Sequence, residues 1–164
     1  MIGRVVAISV VAASAWEAFW WARRRVLRTS TYQKAQRRAR ELGRPLMVVG
    51  APDQGTTSGY GCGDLTVDLA GSMCPRAIVA DITKQIPLSD SSVVVFVSCV
   101  LEYVDRIDPA LQELWRVSGG EMYIVRVEPW TLAAFFYPGA RRRLPASLSI
   151  GTSTVSTSGY GRLT

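Results

Sequence analysis

The feature that most constrains the fold is an apolar run at Ser92–Cys99, with the sequence SVVVFVSC. Its β-branched valines lose rotamer freedom in a helix and pack well on a pleated strand. Apolar residues occur at nearly every position, instead of at alternate positions, which indicates a strand covered on both faces. The run therefore predicts a central strand of a buried sheet.

Shorter apolar runs before and after it are also typical of strands. A helical pattern opens at Pro109 and stops at Gly119-Gly120, between the central strand and the last run. Strands that alternate with helical or loop crossovers favour a mostly parallel α/β sheet. The other predicted strands are Leu46–Gly50, Leu65–Leu69, Ala77–Ala80 and Met122–Val127.

Polar and glycine residues collect where these strands end. The loop Gly50–Gly63 follows the first strand, Asp68 and Asp81 close the second and third, and Ser98 lies near the end of the fourth. Ligands of parallel α/β sheets bind beyond the carboxyl ends of the strands. Glycine allows close backbone approach and Asp accepts hydrogen bonds from ribose, which suits an adenosine-bearing ligand. Alternatively, each Asp caps the turn that follows it.

The segment Ile78–Val127 contains an ordered set of short motifs. In chain order they are Asp81, Ile86-Pro87-Leu88, Asp90, Val100-Leu101-Glu102-Tyr103-Val104, Leu111, Glu113-Leu114, Arg116-Val117 and Gly119-Gly120. Together they resemble the middle of the type 11 class I S-adenosylmethionine methyltransferases. The resemblance implies a shortened Rossmann-like methyltransferase sheet over residues 46–146.

The same resemblance implies S-adenosylmethionine as cofactor and assigns residues to it. Asp68 would meet the ribose and Asp81 the adenine amino group. The loop, with Gly50, Asp53 and Gly55, would hold the methionine end. Ser98 and Cys99 would line the floor of the pocket.

The chain departs from the family pattern in two places. Gly55 lies too close to the second strand for the usual crossover helix. After the fifth strand the chain is too short for a normal sixth and seventh strand with their helix, and residues 147–164 form a Ser/Thr/Gly-rich tail. We therefore expect a non-catalytic methyltransferase-like domain, a structural or assembly subunit of a larger membrane complex or virion. The alternative is an active methyltransferase on a small-molecule or membrane-associated acceptor, and no catalytic residue is assigned.

The N-terminal segment differs from the rest. Residues 5–21 read VVAISVVAASAWEAFWW, and aromatic residues stand directly before Arg23-Arg24-Arg25. This pattern predicts a single membrane-spanning anchor over residues 1–25, with the lipid bilayer as partner. The basic side would keep the domain in the cytosol, stroma or matrix. A helix buried in a larger assembly and a cleaved signal or transit peptide are the alternatives; the second fits less well because the charge follows the apolar run.

Residues 26–45 are predicted to form a basic linker with its own helix over residues 30–42. Ser30 or Thr31 would cap it, and Gly43 with Pro45 would end it. Its arginines either form a solvated face or contact anionic headgroups. The apolar face of this helix comprises Tyr32, Ala35, Ala39 and Leu42.

Composition narrows the function classes further. Residues 1–45 carry ten Lys and Arg against two acids, while residues 46–164 carry nine against eleven. The globular part is thus not basic, and no nucleic-acid partner is expected. The chain has no histidine and three widely spaced cysteines, so no metal site is expected. Cys99 is expected in the core, and no cysteine requires an oxidising compartment.

Overall fold

The computed structural model describes residues 2–50, 52, 59–127, 144, 147–150 and 153–156, with side chains of the first helix described from Ser9 onward. Asp53 and Gly55 lie outside this range. The helices are α1 (Ile2–Leu42) and α2 (Ile107–Ser118), with a short 3₁₀ helix at Leu101–Tyr103. The strands are β1 (Leu46–Val49), β2 (Leu65–Asp68), β3 (Ala77–Val79), β4 (Val94–Ser98), β5 (Met122–Val125), β6 (Ser147–Ile150) and β7 (Ser153–Ser156).

The first five strands form one parallel sheet in the order β3-β2-β1-β4-β5. This confirms the predicted α/β class and the central position of β4, whose Val95 lies opposite Met47 of β1 and Met122 of β5. The strand order reverses between β1 and β4. Strands β6 and β7 form a separate antiparallel pair.

Every residue of β1 and β4 is buried, because helices cover both faces of the sheet. Alternate side chains point to opposite faces of a strand. Val48 and Phe96 accordingly pack in the cluster beneath α1, whereas Val95 and Val97 pack in the cluster beneath α2. The interior therefore has two layers.

Helix α1 is continuous, so the predicted separate helix beginning at Ser30 or Thr31 is wrong. The Ser30 hydroxyl donates to the Leu27 carbonyl within the helix, and Thr31 is buried. Neither Gly nor Pro occurs between residues 4 and 42, so nothing in the backbone stops the helix before Gly43, which has φ +64°. The predicted apolar face does cover the sheet, with Ala35 and Ala39 buried against it.

The N-terminal half of α1 is largely exposed. Val10, Trp16 and Phe19 are each half exposed or more. The predicted membrane span is not borne out, since within the described residues no helix is long and apolar enough to cross a bilayer. The predicted run begins at Val5, and the side chains of residues 5–8 lie outside the described ones.

Helix α2 holds the segment before β4 in place. Its Arg116 donates to the carbonyls of Ile86 and Leu88 and pairs with Asp90 and Glu113. Glu113 also accepts from the Ile86 amide at 2.6 Å. Both side chains are largely covered within this network.

A disulfide joins Cys62 to Cys74, with their Cα atoms 5.7 Å apart. It links the chain before β2 to the chain before β3, at the amino edge of the sheet. The spacing of the cysteines did not predict this pair, because disulfide connectivity cannot be deduced from spacing alone.

A charge placed in the two-layer core tests the central position of β4. Val95 is fully buried, and an unpaired buried carboxylate costs several kcal/mol, a large part of a domain's stability. We expect Val95→Asp to abolish cooperative urea unfolding followed by circular dichroism. Val79→Asp, at a position 68% exposed on β3, is the matched control and should unfold normally. A folded Val95→Asp protein would contradict the assignment.

Candidate functional site

A cavity of about 920 Å³ opens at the carboxyl edge of the sheet. The ends of all five parallel strands contribute to its lining, and α1 closes one side. It spans the position between β1 and β4 where the strand order reverses, which is where ligands bind in open α/β sheets. Its volume is within the ordinary range for small-molecule and cofactor sites.

Gly50 shapes the cavity beyond the end of β1. Its φ is +97°, and its amide donates to the Val67 carbonyl at 2.9 Å. A Cβ at this position would lie 2.9 Å from Cγ2 of Val100, closer than a Cβ normally approaches. Only glycine keeps this close approach between the ends of β1 and β4 without strain.

Asp68 is the last residue of β2 and lines the cavity. Its Oδ1 accepts from the Ala70 amide at 3.0 Å, which closes a short turn. A carboxylate has about four lone-pair sites on its two oxygens, so this hydrogen bond leaves acceptor capacity on Asp68. The geometry suits a side chain that accepts hydrogen bonds from the hydroxyl groups of a ligand.

Asp81 also lines the cavity, but its carboxylate is more engaged. Its Oδ1 accepts from the Thr83 amide at 2.9 Å and from the Thr83 hydroxyl at 2.7 Å. Its Oδ2 lies 3.7 Å from Nζ of Lys84. The Thr83 hydrogen bonds, more than Lys84, hold the pKa of Asp81 below its ordinary value. Asp81 is thus a turn cap that also borders the cavity.

Cys99 and Ser98 form part of the floor, as the resemblance implies. Ser98 is buried, and Cys99 adopts a left-handed backbone with φ +54°, uncommon outside glycine. The Sγ of Cys99 lies 2.9 Å from Nη2 of Arg28, which reaches the floor from α1. Burial raises the pKa of the Cys99 thiol despite this cation, so the thiol is neutral at pH 7.

Glu102 is buried near the floor but does not line the cavity. It is 2% exposed, and its Oε1 accepts from the Val127 amide at 2.5 Å while Oε2 is buried without a partner among the described residues. Burial raises the pKa of Glu102. The charge of Arg126 partly offsets this effect on Glu102, while Nη1 of Arg126 donates to the Leu144 carbonyl. Glu102 therefore ties the end of β5 to the 3₁₀ helix.

Tyr60 forms the wall next to α1. Its ring contacts Phe96 and Tyr32, with centroids 5.1 and 6.2 Å away. Burial raises the pKa of its phenol. An aromatic side chain at a cavity wall offers a flat apolar surface and a hydroxyl that can hydrogen-bond.

The structure brings together the predicted residues that it describes, Gly50, Asp68, Asp81, Ser98 and Cys99. The other two, Asp53 and Gly55, fall outside the described residues. Sequence reasoning missed Arg24 and Arg28, which line the cavity. Their spacing could have identified them, because they continue the buried stripe of α1 through Thr31, Ala35 and Ala39.

Comparisons with known proteins give no family. Neither a protein-family model, nor a curated protein, nor a solved structure matches this chain. Within the described residues, no group of three or more potential ligand side chains could hold a metal ion.

Glu102 predicts a pH dependence of stability. Burial raises the pKa of Glu102 in the folded protein, because it disfavours the charged carboxylate. The folded state is therefore not penalised below the ordinary carboxyl pKa, where the group is protonated, and it loses stability as the pH rises through the folded-state pKa. Glu102→Gln imitates the protonated form. We expect the free energy of unfolding of Glu102→Gln to equal that of the parent near pH 4. At pH 8 it should exceed the parent's by on the order of 1–3 kcal/mol, measured by urea unfolding.

The matched control is Glu41→Gln, at a carboxylate that is 62% exposed. An equal pH profile for both variants would contradict the role of burial at Glu102.

Proposed function

We propose that the cavity binds an adenosine-bearing ligand of the S-adenosylmethionine class, in a methyltransferase-like domain that associates with a membrane. The observation that carries the proposal is the cavity itself, at the reversal of strand order and bordered by Asp68 at the end of β2. This is the position at which an acidic residue meets ribose hydroxyls in dinucleotide-binding sheets.

The described residues fit such a ligand in three respects. Asp68 has acceptor capacity for ribose hydroxyls. Gly50 lines the cavity without a side chain of its own, so its backbone borders the space open to a ligand. Val49, Val67 and Val100 offer apolar surface for a purine ring.

S-adenosylmethionine would supply an activated methyl group on a sulfonium. Transfer of such a group depends mainly on holding donor and acceptor in line, so acid–base residues are not essential. This chain's contribution would be to orient the ligand through Asp68 and to exclude water with the apolar floor. The missing histidine is compatible with that role.

A non-catalytic structural or assembly role is the second candidate, and one observation favours it. Asp81, assigned by resemblance to the adenine amino group, is already held by Thr83 and Lys84. A ligand would have to displace or share those contacts. A domain that has lost this interaction could retain the fold as a scaffold within a larger assembly.

The membrane part of the proposal is supported by the exposed half of α1. Trp16, Phe19 and Trp21 are each about half exposed. Exposure of these large apolar side chains to water is unfavourable, and contact with a lipid surface or a protein partner would remove it. Arg23 and Arg25 stack over neighbouring tryptophan rings, within 4.9 and 5.8 Å of their centroids. Aromatic residues beside arginines are typical of segments at the membrane interface.

Binding calorimetry with S-adenosylhomocysteine tests the cavity. We expect the full chain to bind, and Asp68→Asn to weaken binding by roughly tenfold or more, because a carboxylate accepts hydroxyl hydrogen bonds more strongly than an amide. The matched control is Asp90→Asn, at an exposed carboxylate before β4 on the opposite edge of the sheet. Absence of binding by the parent chain would refute the proposed ligand class.

Vesicle sedimentation tests the helix. We expect the chain to bind vesicles of phosphatidylcholine with phosphatidylglycerol, and Trp16→Ser with Phe19→Ser to reduce binding by at least about tenfold, since two aromatic side chains no longer enter the interface. Val79→Ser removes an exposed apolar side chain on β3 and serves as control. Binding that the double variant leaves unchanged would rule out this surface.

A further inference from the structure

Arg28 lies at the wall of the cavity. Its guanidinium contacts the Cys99 thiol at 2.9 Å, and its buried Nε has no hydrogen-bond partner among the described residues. Within the same part of the chain, no carboxylate forms an ion pair with it. The thiol that it contacts is a weak acceptor.

A partly buried cation in this position costs free energy unless an anion accompanies it. Glu102 is the acidic side chain whose charge acts on Arg28. Glu102 makes no ion pair with Arg28, and its Oε1 accepts from the Val127 amide. Cys99 is a neutral thiol at pH 7. The guanidinium thus lines the cavity without an ion-pair partner among the described residues.

A second arginine stands beside it. Arg24 lies one helical turn earlier on α1 and also lines the cavity. Residues four apart on a helix are neighbours on one face. A guanidinium presents a planar fork of donors that matches carboxylate and phosphate oxygens.

The acidic residues lie along another part of the wall. Asp68 and Asp81 follow β2 and β3, whereas Arg24 and Arg28 come from α1, which covers β1, β4 and β5. The cavity is therefore polarised, with hydroxyl acceptors along one part of its lining and guanidinium donors along another. A neutral nucleoside would satisfy only the first.

We infer that the cavity takes a ligand with an anionic end, a carboxylate or a phosphate, which binds Arg28 with support from Arg24. The inference rests on the proposed function for the nucleoside end at Asp68. It assigns to α1 a binding role that neither the strand pattern nor the resemblance implies.

Calorimetry with three ligands separates the two ends. S-adenosylhomocysteine carries an amino-acid carboxylate, 5′-methylthioadenosine has the same nucleoside without it, and ADP carries phosphates. Each is titrated into the full chain, Arg28→Met, Arg28→Lys and the control Arg37→Met, which removes an exposed arginine of α1. Circular dichroism checks that every variant is folded.

We expect Arg28→Met to weaken S-adenosylhomocysteine binding by roughly ten- to hundredfold, as for loss of a charge-assisted hydrogen bond, and to leave 5′-methylthioadenosine binding within about twofold. Arg28→Lys should restore part of the affinity, and Arg37→Met should have no effect. If ADP and not S-adenosylhomocysteine shows this dependence on Arg28, the anionic end is a phosphate.

If at least one of the three ligands binds, two outcomes overturn the inference. Equal loss for both nucleosides would mean that Arg28 only maintains the fold of the wall, and no loss for any ligand would mean that it does not face one. If none of the three binds, the proposed function fails, and inorganic pyrophosphate tests the arginines alone. Pyrophosphate binding that Arg28→Met abolishes would then support the anion site, and its absence would refute it.

Discussion

The structure depends on covering β4 on both faces. A strand with valine or phenylalanine from Val93 to Val97 cannot leave either face in water, so one helix must lie above the sheet and another below it. Helix α2 covers one side with its amphipathic stripe. The other side is covered by α1, where Ala35 and Ala39 are small enough to let the helix approach β1 and β4 closely. That approach also brings the arginines of α1 to the carboxyl edge.

Strand positions were accessible from sequence because they follow from local pattern. Apolar runs between glycine, proline and aspartate residues predicted all five parallel strands, and parallel pairing alone places Asp68 and Asp81 at one edge. The assignment of Ser98 and Cys99 to the floor came from the resemblance, and both residues line the cavity at the end of the central strand. What the pattern could not supply is whether Asp81 is available. Its bonds to Thr83 depend on the turn geometry after β3.

One feature that sequence reasoning missed, the stripe on α1, is visible in residue spacing, whereas the others are tertiary. Assigning residues 1–25 to a membrane and residues 26–45 to a linker divided a single helix, and this hid the stripe that runs from Arg24 to Ala39. Glu102 belongs to a recognised motif, but its burial and its bond to the Val127 amide depend on where β5 ends. The pairing of Cys62 with Cys74 depends on β2 lying beside β3, a relation between distant segments. Local periodicity carries no information of that kind.

The continuity of α1 has a mechanical consequence. A helix without Gly or Pro between residues 4 and 42 behaves as a stiff rod, because kinks arise at such residues or at inserted groups. Trp16 and Arg24 lie on this rod roughly 12 Å apart along its axis, at a rise of 1.5 Å per residue. Tilting or rotating the exposed half would therefore displace the guanidinium groups at the cavity wall, instead of being absorbed by a flexible joint. A surface that bound the aromatic end would therefore change the position of the guanidinium groups at the cavity wall.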